Sequence, residues 1–541
     1  MSDKRRQNAE TYLKRLLELR SQSVRIPALA AGFTVEGQVA ATAVIGVRKW
    51  GSGAAAQRSD MFPIGSITKP LTGFLFARIA DQTSINFTST IGQVFPGLIQ
   101  ELRAPLAPFG IPNPAAAWAD HYANTSVVDL MTHTSGMAYT PTGDTNREEF
   151  DLSLMDFPPG STPSKNRRAK RKHYVRLAVR DQPFTIGEWS STDGKRRALY
   201  SGGCIVVASM LEQRQEHTWE RLMSDWVFQP LGLHNASCSD LSEASSVTNT
   251  WFHQDKEDGG LRSTHSLQTS QVAWTHGPAG ALCFSMEALG VLLGRISVQD
   301  PALMSQAAWN LYLGVPADIN QATRGGWGRT NDVLWHNGNY GGWYHADCSV
   351  DLKRRFATYA CANLGNAAAA AVVGDLLQDI KHLALGYDLF QYLDDAVPAD
   401  QLKFTANSTR SMVDGESFSA ILMNDWWLST QWLASRADPT VTIEFDQTTE
   451  ISGIAIYQSK PDSIMSVELS KPERPEKRPA DRPQIGEHTP TFELAQVHKR
   501  SANGHVLHVR LPGKWTVKTL HIKVTRSGGE TPRINRLLVL R

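Results

Sequence analysis

The chain has 541 residues, with 55 Lys and Arg against 53 Asp and Glu for a net charge of +2, so it is several domains' worth of sequence without the basic excess that non-specific nucleic-acid binding needs. Its 41 glycines and 27 prolines are ordinary globular usage, which excludes collagen-like and wholly disordered classes. Two or three folded units are expected, and no nucleic-acid partner.

In chain order, Met1 to Glu10 is charged and leads into a helical stretch with Leu13, Leu16 and Leu17 rather than an apolar signal core, which reads as a cytoplasmic protein. A strand is expected at Ala40–Val47, and helices at Leu71–Ala80, Ile205–Leu211 and Met286–Ile296. Lys165–His173 crowds Lys165, Arg167, Arg168, Lys170, Arg171 and Lys172 together and reads as a solvated loop, the alternative being a basic lip over a site for an anionic substrate. Ala367–Leu385 reads as the closing helix of the first unit; its most apolar part, Ala367 to Val373, is far shorter than the ~20 residues of a membrane span, so no membrane partner is expected. Asp394–Asp400, with Pro398, reads as a linker.

Beyond about residue 400 the helical period gives way to alternation at Val441, Ile443, Phe445, at Ile454, Ile456, at Leu507, Val509, Leu511 and at Leu520, Ile522, Val524, the pattern of an all-β sandwich. Lys471–Pro483 interleaves four prolines with charges and is expected as a loop between strands. The predicted organisation is thus an α+β unit over residues 1–395, an antiparallel sheet flanked by helices, followed by an all-β jelly-roll sandwich over residues 401–541. The five cysteines are odd in number and form no C-x-x-C pair, so they read as reduced and mostly buried; no metal or cofactor is expected.

The sharpest chemical signal is Ser66-Ile67-Thr68-Lys69, an S-x-x-K at the start of an apolar helical period. Three residues is about one helical turn, which sets the Lys69 amine beside the Ser66 hydroxyl. A serine hydroxyl becomes a nucleophile when a neighbouring base takes its proton, and a helix starting there aims its positive end at the oxyanion formed on attack. Metalloprotease, α/β-hydrolase, NTPase and dehydrogenase signatures are all missing.

The surroundings extend the signal. Met61-Phe62-Pro63-Ile64-Gly65 precedes Ser66; then come Val128-Asp129-Leu130-Met131-Thr132-His133-Thr134-Ser135-Gly136, Gln229-Pro230-Leu231-Gly232-Leu233 and Gly277-Pro278-Ala279-Gly280-Ala281-Leu282. In this order the phrases resemble the serine β-lactamase-like superfamily, in its class C β-lactamase, D-aminopeptidase and family VIII esterase branch, over about residues 30 to 385. The resemblance places the family's Y-x-N on Tyr200-Ser201-Gly202 and implies that Tyr200 is general base or proton shuttle; Gly202 replaces the usual asparagine, a side chain expected to hold the substrate carbonyl or the lysine. It places the third motif, K-T-G or H-x-G, on His336-Asn337-Gly338, with His345 as another histidine able to approach the site. It also implies an oxyanion hole made from the N–H groups of Ser66 and Asn339, with Gly202, Asn337 and Gly338 lining the substrate. The tail from Val413 through Trp432 to Ile454 resembles a discoidin or galactose-binding-like module, Trp432 being core; such a module either packs beside the catalytic unit and shapes its entrance or contacts carbohydrate with end loops through Trp426 or Trp427.

The expected activity is that of a serine hydrolase working through an acyl-Ser66 intermediate on a carboxylic ester or a small amide or peptide. The alternatives are an acyltransferase or peptide cyclase using the same acyl-enzyme, a β-lactamase or D-aminopeptidase, and an inactive hydrolase fold serving as a binding protein. The sequence leaves the oligomeric state open.

Overall fold

The computed structural model describes residues 3–22, 24–106, 110–139, 163–184, 201–238, 249–264, 270–339, 342–406, 432–433, 439–458, 464–470, 497–500, 505–526 and 533–541. Tyr200, Trp426, Trp427 and the Lys471–Pro483 stretch lie outside them. The chain divides into two compact units, Leu13–Leu377 and Gln378–Arg541 together with Met1–Tyr12. Among the described residues no helix is long and apolar enough to cross a membrane.

The first unit is α+β. Its six-stranded antiparallel sheet runs in the order Gln38–Gly46, Ala28–Val35, Phe356–Ala362, His345–Asp351, Val333–Asn339, Gly328–Thr330. The N-terminal hairpin is thus zipped against strands more than 300 residues away, Ala31 facing Ala360 across the ladder. Phe356–Ala362 is buried at every position, which is why it reads as a continuous apolar run rather than an alternating one. The sequence-predicted strand at 40–47 is Gln38–Gly46, and the predicted helices are Thr68–Ala80, Gly203–Gln215, Met286–Ser297 and Ala367–Leu385.

The nucleophile helix, Thr68–Ala80, sits at the centre of the helical region: every residue from Thr68 to Ile79 is buried. Pro70 lies in its first turn, where no intrahelical N–H bond is lost. The Pro70 carbonyl accepts the Tyr312 hydroxyl at 2.9 Å, and Tyr312 in turn accepts Trp327 Nε1–H at 2.6 Å. In a small three-stranded sheet the central Cys283–Phe284 pairs with Phe62–Pro63 on one side and Ala236–Ser237 on the other, and the pairing extends into a bond from Ile64 N–H to the Leu282 carbonyl at 3.0 Å. That pairing fixes the turn before the helix against the 278–282 segment.

The basic stretch is a correction to the solvated-loop reading. It lies within a helix, Pro163–Ala178, and Arg171 is fully buried. The Arg171 guanidinium bonds Glu212 through Nε at 2.9 Å and Glu220 through Nη1 and Nη2 at 3.0 and 2.8 Å. Glu212 also accepts the Trp219 N–H at 2.8 Å, joining the Pro163–Ala178 helix to the two helices that carry Glu212 and Trp219. Charge density along the sequence hid this, because the compensating carboxylates lie 41 and 49 residues downstream.

In the second unit the described secondary structure from Leu402 onward is all β. Two long strands, Thr440–Tyr457 and Val506–Arg526, pair antiparallel with register shifts after Glu444 and Ile451, and shorter strands flank them. The alternating residues read from sequence form its core: Val441, Ile443, Ile454, Ile456, Leu520, Ile522 and Val524 are all fully buried. All five cysteines are free thiols, four of them buried.

Candidate active site

Ser66 lies in a 3-10 turn, Gly65–Ile67, that runs directly into the nucleophile helix. The turn needs glycine at 65 on two counts. Its φ is +52°, a region other residues enter only with strain, and a Cβ there would lie 3.0 Å from the Tyr344 ring and 3.1 Å from both Asn339 N and Gly338 Cα. The result is a half-buried Ser66 beside a buried Lys69, whose ammonium donates to Ser66 Oγ at 2.8 Å and to the Ala279 carbonyl at 3.0 Å. Around them, Thr72 Oγ1 donates to the Pro278 carbonyl at 2.9 Å, while Thr68 Oγ1 accepts the Leu282 N–H at 3.2 Å. Both bonds fasten the 278–282 segment to the helix that carries Lys69.

The strand Val333–Asn339 forms the opposite wall. Gly338 approaches so closely that a Cβ on it would lie 2.1 Å from the Ile64 carbonyl oxygen and 2.9 Å from the Ser66 nitrogen. The backbone nitrogens of Ser66 and Asn339 therefore flank one contact, between the Gly65–Ser66 turn and Gly338. The Asn339 side chain is otherwise engaged: Nδ2 donates to the Gly365 carbonyl at 3.0 Å and lies 3.5 Å from His345 Nδ1.

His336 comes next on this strand. Its Nδ1 bonds the Asn337 carbonyl at 2.7 Å, which makes Nδ1 the protonated nitrogen of the neutral ring. Burial, with a further contribution from the Lys69 charge, brings its pKa down to about 4, against the raising effect of the Asn337 bond. His345 is buried opposite Asn339 in the ladder, and burial alone lowers its pKa. The Lys69 charge thus acts on His336, whereas His345 is tied to the side chain of Asn339. Asn337 is exposed.

Position 202 lies at the start of the Gly203–Gln215 helix, and its neighbour Ser201 is held by His133, the histidine of the H-T-S-G phrase. His133 follows a short helix, Val127–Met131, closed at its start by a Ser126–Asp129 capping box, and adopts φ +60°. Its Nδ1 accepts the Ser201 N–H at 3.2 Å and lies 3.1 Å from Ser201 Oγ. Burial first, then the Lys69 charge and repulsion from His336 when that ring is protonated, lower its pKa to about 4. A neutral His133, a neutral His336 and Lys69 therefore share one electrostatic neighbourhood. The signal for His133 was the H-T-S-G phrase, whose histidine acquires a role only when the fold brings residue 201 to it.

The described residues thus bring together Ser66, Lys69, His336, Gly338, Asn339 and, through His133, the 201–202 segment. Such an arrangement can activate a hydroxyl through an adjacent amine and present backbone N–H groups to a developing oxyanion.

No curated protein sequence matches this chain. Among solved structures, it is similar to the crystal structure of a beta-lactamase from Sulfitobacter sp. EE-36, at 15% identity and TM-score 0.51, over 70% of this chain and 99% of that one. It is also similar to a D-stereospecific amidohydrolase from Streptomyces sp. (15% identity, TM-score 0.46, 68% of this chain and 98% of that one). A third is EstCE1, a hydrolase with promiscuous acyltransferase activity (16% identity, TM-score 0.48, 69% of this chain and 99% of that one). The Beta-lactamase family profile matches residues 13–380, more than half of the sequence, and the chain belongs to that family.

Proposed function

We propose that this protein is a serine hydrolase that forms an acyl-Ser66 intermediate on a carboxylic ester or a small amide. The observation that carries the reading is the buried Lys69 amine set 2.8 Å from Ser66 Oγ in a helix-initiating turn. In the first step Ser66 Oγ attacks the acyl carbonyl, and its proton passes to Lys69 as Lys69 gives one of its own ammonium protons to the Tyr200 phenolate, so that the net acceptor is Tyr200. The new oxyanion is held by the N–H groups of Ser66 and Asn339, with the amino-terminal end of the Thr68–Ala80 helix adding favourable field. Tyr200 returns the proton to the leaving group, and water then releases the acyl group by the reverse sequence. His336 works here as a neutral group beside Lys69. Asn337, Gly338 and Gly202 line the acyl pocket.

The substrate is a small molecule, and plain esters are favoured over β-lactams. Glycine at 202 supplies no amide, and a neutral His336 attracts a carboxylate less than an ammonium would. In this reading residues 1–395 are the catalytic part, and residues 401–541 a discoidin-like module that contacts carbohydrate; the protein acts in the cytoplasm.

Labelling with a fluorophosphonate probe tests the nucleophile directly. The wild type takes the label at Ser66, and Ser66→Ala does not. Ser66→Ala and Lys69→Ala each lower turnover of p-nitrophenyl acetate by several orders of magnitude, and the double variant is little worse than either single, because the two side chains act as one unit. Additive losses, or a folded wild type that takes no label, refute the proposal. Nitrocefin turned over with a higher kcat/KM than p-nitrophenyl acetate refutes the preference for esters.

A further inference from the structure

His133 holds a backbone conformation that only glycine adopts freely, with φ +60°. Glu36, Glu216, Asn331 and Arg355 also reach positive φ, but at exposed positions, whereas His133 is half-buried and its ring is engaged: Nδ1 accepts the Ser201 N–H at 3.2 Å and lies 3.1 Å from Ser201 Oγ. With Nδ1 accepting, the neutral ring carries its proton on Nε2. The loop around it is fixed on both sides. Thr132 Oγ1 donates to the Val128 carbonyl at 2.7 Å, the Thr134 N–H bonds the Asp129 carbonyl at 2.9 Å, and the two threonine hydroxyls lie 3.0 Å apart. The facing segment is placed as tightly. Ser201 is buried, a Cβ at 202 would collide with the Tyr174 hydroxyl, and one at 203 would collide with the Leu130 carbonyl oxygen of the short helix before His133. Residues 201 and 203 are thus both registered against residues 130–133, and strain of the kind seen at His133 persists where the surroundings require a side chain to be aimed at one place.

We propose that His133 is the positioning residue for Tyr200, acting through the backbone N–H of Ser201. That N–H belongs to the planar peptide unit that also contains the Tyr200 Cα, so the bond from His133 fixes the plane from which the Tyr200 side chain springs. The proposal rests on the hydrolase reading and deepens it: His133 touches neither substrate nor reacting atoms, and its contribution passes through the proton acceptor. The bond also requires a neutral ring, because a protonated Nδ1 would turn a second N–H toward that of Ser201. Burial, then the Lys69 charge, hold the ring in the accepting form at neutral pH. The ammonium that donates to Ser66 Oγ therefore helps to preserve the bond that orients Tyr200.

The test uses covalent geometry. An asparagine Oδ1 stands at the same bond distance from Cβ as Nδ1 of histidine, and asparagine tolerates positive φ; a glutamine Oε1 stands one bond further out, where Nε2 was. Full-length wild type, His133→Asn and His133→Gln are compared by kcat and KM on p-nitrophenyl acetate across the pH range, by fluorophosphonate labelling and by thermal melting. His133→Asn accepts the Ser201 N–H and keeps kcat within about fivefold of wild type, with the acid limb of kcat/KM in place. His133→Gln folds and takes the label, but its kcat falls by roughly 10²-fold, the effect of a misplacement of about 1 Å, while KM changes by less than about threefold. Its acid limb moves to higher pH by about half a unit or more, because a phenolate displaced from Lys69 is less stabilised by that charge. A glutamine variant with wild-type kcat and pH profile, or one that fails to fold, overturns the positioning role, the latter in favour of a purely structural one. So does an asparagine variant that loses as much as the glutamine one. An acid limb that vanishes in His133→Asn overturns it too, by making His133 itself the titrating base. A wild type that takes no label overturns the hydrolase reading, and the positioning role with it.

Discussion

Replacing Gly338 by alanine adds one methyl group at the closest contact in the site. That carbon would lie 2.1 Å from the Ile64 carbonyl oxygen, 2.9 Å from the Ile64 carbonyl carbon and 2.9 Å from the Ser66 nitrogen. An ordinary carbon–oxygen contact is about 3.3 Å, so the strand and the turn must separate by roughly 1 Å. Neither side yields easily. Ile64 is fully buried with its N–H on the Leu282 carbonyl, Gly65 is held at positive φ, and Gly338 is paired with Ala346 in the ladder. Overpacking of this kind costs about 1–3 kcal/mol of stability. The same shift moves the Asn339 nitrogen away from the Ser66 nitrogen, and a misplacement of about 1 Å at reacting groups lowers rates by roughly 10²-fold. The assay is kcat/KM for p-nitrophenyl acetate with thermal melting in parallel. Gly374→Ala is the control: nothing lies within 4 Å of a Cβ there, on the Ala367–Leu385 helix, and the change should stabilise slightly. Wild-type kcat/KM and melting temperature for Gly338→Ala would refute the argument that this glycine is required by close approach.

Arg171→Met leaves the Glu212 and Glu220 carboxylates facing an apolar side chain in the interior, which should lower unfolding stability by about 3–5 kcal/mol in urea titration at pH 7. A loss below about 1 kcal/mol would return the basic stretch to the solvated reading. His253 is fully buried, with Nε2 accepting the Trp50 N–H at 2.9 Å and Nδ1 bonded to the Asn363 carbonyl at 3.0 Å, and burial takes its pKa down to about 4. An unfolded imidazole titrates near 6.5, so on acidification the unfolded chain takes the proton first; the stability tied to the neutral ring is complete above about pH 6.5 and is lost as pH falls toward 4, by roughly 2–3 kcal/mol. Unfolding free energies at pH 7 and pH 4.5 check this, since His253→Gln should cost more at pH 7 than at pH 4.5; an equal cost at both would refute it.

Much of the architecture was legible because periodicity is a local property. The helix at Thr68–Ala80, the Ala367–Leu385 helix and the alternating strands of the second unit were carried by apolar spacing within a few residues of each position. The S-x-x-K spacing by itself set Lys69 beside Ser66, since one helical turn fixes their separation wherever the helix lies. Partners distant in sequence were not legible. Arg171 read as one more solvated charge until folding brought Glu212 and Glu220 to it, and the histidine of the H-T-S-G phrase had no role until Ser201 met it 68 residues later. Gly202 read as a missing asparagine, whereas the fold shows the place already taken by a tyrosine from another helix. The tertiary structure decided these points for one physical reason: burial, pairing and collision depend on distance in space, and a sequence specifies that distance only across a turn or two of the chain.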